Sequence, residues 1–247
     1  MIEIKRYIKR TIRIALLILG FGVIVAGYLK VFPEILYKNK FHLDNYTIYS
    51  NNYIDSSIVY IIDTATILLE NNLIDRQNHK FDVLISNSYP LFWAHTFLNK
   101  KPTGASEFVT NNIYIANGVI ENNYCYNFED KKKEIKGRSL HSVIAHESVH
   151  IIIRKELGTL KYLRILKKSN WKVEGFCEWI AFNNIPIERQ IILEIIRSDS
   201  YVNNPYDRYK LYRALVDYLI RTEEYTFIDL MTSDDNFEFV INKYATQ

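Results

Sequence analysis

Cysteine is scarce in this chain. Cys125 and Cys177 are the only two among 247 residues. That excludes a disulfide framework and leaves room for one Cys125–Cys177 bridge, which would need an oxidising compartment outside the cytoplasm. Internal repeats and low-complexity tracts are also missing, apart from a general richness in Asn, Ile and Tyr. A dominant charge is lacking too. The formal net charge is +3, but Lys5, Arg6, Lys9, Arg10 and Arg13 against Glu3 put +4 into residues 1–13 and leave −1 for the rest. No basic face is left for nucleic acid. The run Lys131-Lys132-Lys133 is flanked by Glu129, Asp130 and Glu134 and reads as a solvated loop. Hydrophobic residues make up 48% of the chain and charged residues 24%, which excludes a disordered polymer and supplies a sizeable core.

The first feature present is an apolar run. Ile14 to Leu29 contains no charged residue. As a helix it would be about 24 Å long, slightly short of a hydrocarbon core. Lys30 can snorkel, and Val31 and Phe32 extend the stretch before Pro33. The reading is a basic cytoplasmic tail over 1–13, a single-pass anchor over 14–36, and a domain over 38–247 on the far side of the membrane. A cleaved signal peptide, giving a secreted protein, has the same pattern, with Val25-Ala26-Gly27 as an imperfect cleavage site. A buried core helix is the third reading, and the basic flank argues against it.

After the anchor, residues 38–53 look like an irregular connector. Ile58, Ile61, Ile62, Ala65, Leu68 and Leu69 recur at helical spacing over Ser56 to Leu73, with Asp55 as N-cap. Phe81 to Ile85 is β-prone, and Leu91 to Leu98 is strand or short helix. Phe108-Val109 and Ile113 to Ala116 read as strands around Asn111-Asn112, and 121–137 as a loop. From Ser139 onward the pattern is helical, with Gly158 closing the first helix and Ser169 or Asn170 capping a second from Trp171 to about Phe182. Pro186 and Pro205 start two more, and short helices follow near Phe227–Met231 and Phe237–Tyr244. Strands followed by helices give an α+β domain.

The chemistry is concentrated in His146-Glu147-Ser148-Val149-His150. This H-E-x-x-H pattern would arise by chance in only about 1% of chains of this composition. On a helix, residues four apart share a face, so both imidazoles can bind one zinc ion. Glu147, next to the first histidine, can reach a water rather than the metal and act as general base. Further on, the chain reads Trp171-Lys172-Val173-Glu174-Gly175-Phe176-Cys177-Glu178-Trp179. Glu174 offers a third ligand, Gly175 permits close backbone approach, and Glu178, one turn on, suits a carboxylate that accepts the other N–H of a ligating histidine.

Together the motifs at 146–150 and 171–179 resemble the gluzincin metallopeptidases, the thermolysin-like and aminopeptidase-like superfamily, in its compact bacterial peptidase-MA-like branch. The resemblance spans roughly residues 80–220. It implies a zincin-like domain, a small β-sheet followed by a helical bundle, acting on a peptide or protein substrate. His146, His150 and Glu174 would hold one Zn2+ and Glu147 would be the base. It also implies that Ile113–Ala116 is the edge strand, with Tyr114 and Ala116 against the substrate backbone, and that a tyrosine steadies the oxyanion. Of Tyr201, Tyr206, Tyr209 and Tyr212, Tyr209 is favoured. The N-E-x-x-S-D and G-A-M-E-N sequences of the thermolysin and large aminopeptidase families are missing.

Two other residues bear on the site. Cys177 shares the face of Glu174 and could touch the metal, although small buried packing is the plainer role. His95 could line a cleft or serve as a core histidine. Two other functions stay open at this point, a non-catalytic zincin-like module for envelope assembly and an amide hydrolase acting on cell-wall peptides.

Overall fold

The computed structural model describes residues 2–70, 79–97, 99–108, 110–129 and 138–246. The lysine run at 131–133, the end of the helix expected to reach Leu73, and Val109 and Leu98 lie outside them.

Helix α1 runs from Ile2 to Val31 and includes the basic cluster in its first turns. Its segment Arg10–Leu29 is long and apolar enough to cross a membrane and is not buried against the rest of the protein, as a signal sequence would also be. Pro33 ends it, because proline lacks the N–H of the next helical bond and disfavours helix at Phe32. A 3₁₀ turn, Pro33–Leu36, follows.

Where an irregular connector was expected, strands β1 (Asn39–Leu43) and β2 (Tyr46–Ser50) form an antiparallel hairpin. Asp44 takes the left-handed conformation at the turn, φ 49°. The apolar alternation in β2 is only five residues long, too brief for a sequence pattern to separate from a loop. Helix α2 (Ser57–Glu70) begins where Asp55 Oδ1 accepts the Ser57 N–H at 2.8 Å, and it buries the six apolar positions read from its spacing. Strand β3 (Phe81–Ser86), helix α3 (Tyr89–Thr96) and strands β4 (Gly104–Ser106) and β5 (Asn112–Ala116) come next.

The five strands are ordered β1-β2-β3-β5-β4. The pairs β2–β3 and β3–β5 are parallel, and the outer pairs antiparallel. This corrects the sequence reading of the edge. Strand β5 is interior, bonded on both sides, and Tyr114 and Ala116 are buried at 1% and 0% exposure. The edge beyond β5 belongs to Gly104-Ala105-Ser106, too short and small-sided to read as a strand. Phe108 is in no strand.

Side chains alternate across the sheet. Tyr46, Ile48, Val83, Ile85, Ile113 and Ile115 join the main core, while Tyr49, Leu84, Tyr114 and Ala116 pack with Phe92 of α3 in a second cluster on the other face. A small sheet of β6 (Gly118–Val119), β7 (Tyr124–Cys125) and β8 (Arg138–Ser139) leads into helix α4, Leu140–Leu157. Ser139 occupies the N-cap position, but its hydroxyl bonds Ser142 rather than the helix backbone.

Helix α4 is buried nearly all round, enclosed by the sheet and other helices, and the buried surface includes His146, Glu147, Ser148 and His150 as well as its apolar side chains. Helix α5 runs from Thr159 to Ala181, so the expected connector is itself helical. Its one break is Ser169 (φ −146°, ψ 48°), where the second helix was expected to start. Helices α6 (Arg189–Arg197), α7 (Ser200–Asn203), α8 (Pro205–Arg221), α9 (Phe227–Thr232) and α10 (Phe237–Thr246) complete the α+β chain.

Candidate metal centre

One turn of α4 separates His146 from His150, and their rings turn toward each other. The two Nε2 atoms lie 3.2 Å apart. Glu174, on the second half of α5, places Oε2 3.4 Å from His146 Nε2 and 3.7 Å from His150 Nε2. A triangle with these sides has a point roughly 2.0 Å from all three corners, the bond length zinc takes to imidazole nitrogen and carboxylate oxygen. Three donor atoms therefore converge as a small divalent metal requires.

Cys177, one turn after Glu174, lies at the same place. Its sulfur and ligand atoms of His146 and His150 fall within 4.8 Å of one another. Burial, together with the charges of Glu174, Glu147 and Glu178, pushes its thiol well above the usual range. It stands there as a neutral thiol. Neither Cys177 nor Cys125 forms a disulfide, which removes the Cys125–Cys177 bridge.

Behind the donors is a supporting layer. His146 Nδ1 is 3.0 Å from Glu178 Oε1, an ion pair short of a directed hydrogen bond, and Arg138 of β8 closes on the same oxygen at 2.8 Å. His150 Nδ1 is 3.0 Å from the Tyr162 hydroxyl on the first half of α5. Neither Arg138 nor Tyr162 was expected here. The only sequence signal for either is position, since a partner beside each ligating histidine is the norm.

The electrostatics follow from burial. His146, Glu147, His150 and Glu178 are between 4% and 8% exposed. Burial by itself pushes the His146 imidazole down, but the close carboxylates of Glu174 and Glu178 and the charge of Glu147 carry it up to about 10. Burial raises Glu174, and the two histidines more than reverse this, holding it well below the usual carboxylate range. Glu178 is also raised by burial and then lowered, by Arg138 and His146. Among the described residues the one guanidinium in contact with these carboxylates is that of Arg138, on Glu178, whereas Glu174 faces only the two imidazoles, so a divalent cation between them would supply its counter-charge in place of protons on the histidines. Buried charge without such compensation is strongly unfavourable.

Glu147 stays outside the ion pairs that engage Glu174 and Glu178. It lies beneath the edge strand: a Cβ added to Gly104 would sit 3.0 Å from Glu147 Oε1. Of the four tyrosines, Tyr209 on α8 feels the site most. Glu174 is the largest cause raising its phenol, ahead of burial, and Glu178 and Glu147 add to it. Tyr212 packs against Phe237, and the Tyr201 phenol is raised by burial and then by Glu238 and Asp199, not by the site's carboxylates. Gly175 does permit a close approach, but to α8 and not α4, since a Cβ there would lie 2.5 Å from the Tyr212 carbonyl oxygen. Trp179 Nε1 donates to Asp217 Oδ1 at 2.8 Å and ties the same two helices. Tyr114 and Ala116 lie away from the donors, on the α3 side of the sheet. His95 is there too, buried and stacked between Tyr37 and Tyr114.

No family model, curated protein or solved structure matches this chain.

Proposed function

We propose that this protein is a membrane-anchored zinc metallopeptidase of the Glu-liganded, zincin-like class, with its catalytic domain on the extracytoplasmic side. The observation that carries the reading is the convergence of His146 Nε2, His150 Nε2 and Glu174 Oε2 on one point, on a helix whose next residue after His146 is the buried Glu147. When bound, the zinc ion would polarise the attacking water and the scissile carbonyl. Glu147 takes the proton from that water and passes it to the leaving amine. Tyr209 donates its hydroxyl to the developing oxyanion. Arg138 and Glu178 orient His146, and Tyr162 orients His150, so that each Nε2 faces the metal.

Strand β4, the edge of the sheet among the described residues, passes over Glu147 at Gly104 and is where an extended peptide would add as another strand. The basic start of α1 favours a cytoplasmic amino terminus.

A second reading replaces Glu174 by Cys177 in a structural His-His-Cys site, which the sulfur's position favours. Charge argues against it. A thiolate would add a further negative group to a cluster already holding three carboxylates, whereas Glu174 is ionised in place.

The test is metal analysis and peptide hydrolysis on the full chain. Glu147→Gln should keep zinc and lose hydrolysis. Glu174→Ala should lose zinc, and Cys177→Ala should keep both. Zinc retained in Glu174→Ala but lost in Cys177→Ala would replace the peptidase reading with the structural one.

A further inference from the structure

Helix α3 carries two large apolar side chains that are about half exposed. Trp93 and Phe97 are 47% and 49% exposed, their rings T-shaped at 5.4 Å. Together with Ala94 they face α1 across a groove whose other wall is Phe21, Gly22, Val25 and Leu29. All four of those residues belong to the segment Arg10–Leu29. From Phe21 to Leu29 the helix rises about 12 Å, so α3 lies beside the last two turns of the span.

Those turns cannot be left out of the bilayer. Without them, the uncharged run from Ile14 to Gly20 would cover only about 11 Å of a core about 30 Å thick. If the span is to cross, its final turns are in lipid, and whatever packs beside them shares their depth. Helix α3 is suited to that position. Phe92 N–H bonds Ser88 O, Phe97 N–H bonds Trp93 O, and the Thr96 hydroxyl bonds Phe92 O, which satisfies backbone groups that lipid could not. Tryptophan favours this boundary because its ring is apolar and its N–H is not. Tyr28, Phe32 and Ile35, at 53%, 43% and 55% exposure, continue the apolar surface, while Lys100 and Lys101, exposed just beyond α3, can reach lipid phosphates.

We propose that α3 is an interfacial membrane element, with Trp93 and Phe97 immersed in the outer edge of the lipid layer against α1. The proposal rests on reading α1 as a membrane span. Its consequence is a fixed seating of the domain. Helix α3 packs on one face of the sheet and α4 on the other, so one sheet layer separates the metal centre from the lipid.

Tryptophan fluorescence tests this on the full chain in phosphatidylcholine vesicles whose acyl chains carry bromine at graded depths. Of the three tryptophans, Trp171 and Trp179 are buried, at 5% and 9% exposure. The expected result is bromine-dependent loss of emission, greatest for bromine near the headgroups and abolished by Trp93→Phe, a change that keeps an aromatic ring against Phe97. Emission insensitive to bromine, in protein that resists alkaline carbonate extraction, would show a spanning α1 with α3 outside the lipid and overturn the proposal. Blue-shifted but unquenched Trp93 emission would put a protein partner in the groove and overturn it equally. Release by carbonate would instead refute the span, and the proposal with it.

Discussion

Glu178 Oε1 lies 3.0 Å from His146 Nδ1, on the opposite side of the ring from the nitrogen that faces Glu174. A carboxylate there fixes which nitrogen carries the proton and makes the other a better donor. Glu178→Gln keeps the size and removes the charge. Zinc affinity should fall about 10- to 100-fold, measured by competition with a chromophoric chelator, without loss of the fold. An unchanged affinity would mean that Glu178 serves only Arg138.

Tyr209 and Tyr212 sit on adjacent turns of α8 with rings 6.3 Å apart, yet only Tyr209 has Glu174 as the main influence on its phenol. Tyr209→Phe should lower kcat about 10²-fold with little change in KM, the cost of removing one oxyanion donor. Tyr212→Phe should leave kcat within a few fold. The reverse ranking, measured on one peptide substrate, would reassign the oxyanion role.

Two glycines make separable steric predictions. A methyl group at Gly175 meets the backbone of α8, with the Tyr212 carbonyl oxygen at 2.5 Å and Val216 Cγ2 at 2.7 Å. Gly175→Ala should therefore destabilise the fold by about 1–3 kcal/mol in urea unfolding, as overpacking does. A methyl group at Gly104 meets side chains of α4, Val143 Cγ1 at 2.7 Å and Glu147 Oε1 at 3.0 Å. Gly104→Ala should bind zinc normally and lose more activity than stability. If the two variants behaved alike, the close approaches would be in the wrong places.

Acid should weaken the fold through Glu178. Burial raises its carboxyl, but Arg138 and His146 outweigh burial and leave the folded value below the ordinary 4.5. The stabilisation is therefore complete above pH about 4.5 and disappears as pH falls through the lowered folded value. Arg138→Met takes away the larger of the two opposing influences. Its acid-unfolding midpoint, followed by circular dichroism, should move to higher pH. A midpoint that stayed or fell would contradict the linkage.

The site was legible in the sequence wherever one helix could specify it. His146 and His150 face the same way because a helix repeats every 3.6 residues, and Glu174 and Glu178 share a face for the same reason. The apolar positions of α2 and the asparagine–proline start of α8 follow equally local rules, with Asn204 Oδ1 accepting the Tyr206 N–H. The length and charge of α1 are properties of a continuous run. Each of these can be read along a single line of residues.

What remained hidden depends on pairing between distant segments. Nothing in Gly104-Ala105-Ser106 marks it as the edge strand over Glu147, because strand order is set by how the whole sheet packs. The β1–β2 hairpin is stable because β3 and the main core cover it, not because five residues alternate convincingly. Arg138 reaches Glu178 across forty positions of sequence, and Gly175 meets α8 rather than α4. The lone-helix logic of spacing picked out the candidate metal ligands. Their neighbours, the sheet edge and the position of Trp93 beside α1 were decided by tertiary packing, in which contacts form between residues that no local period relates.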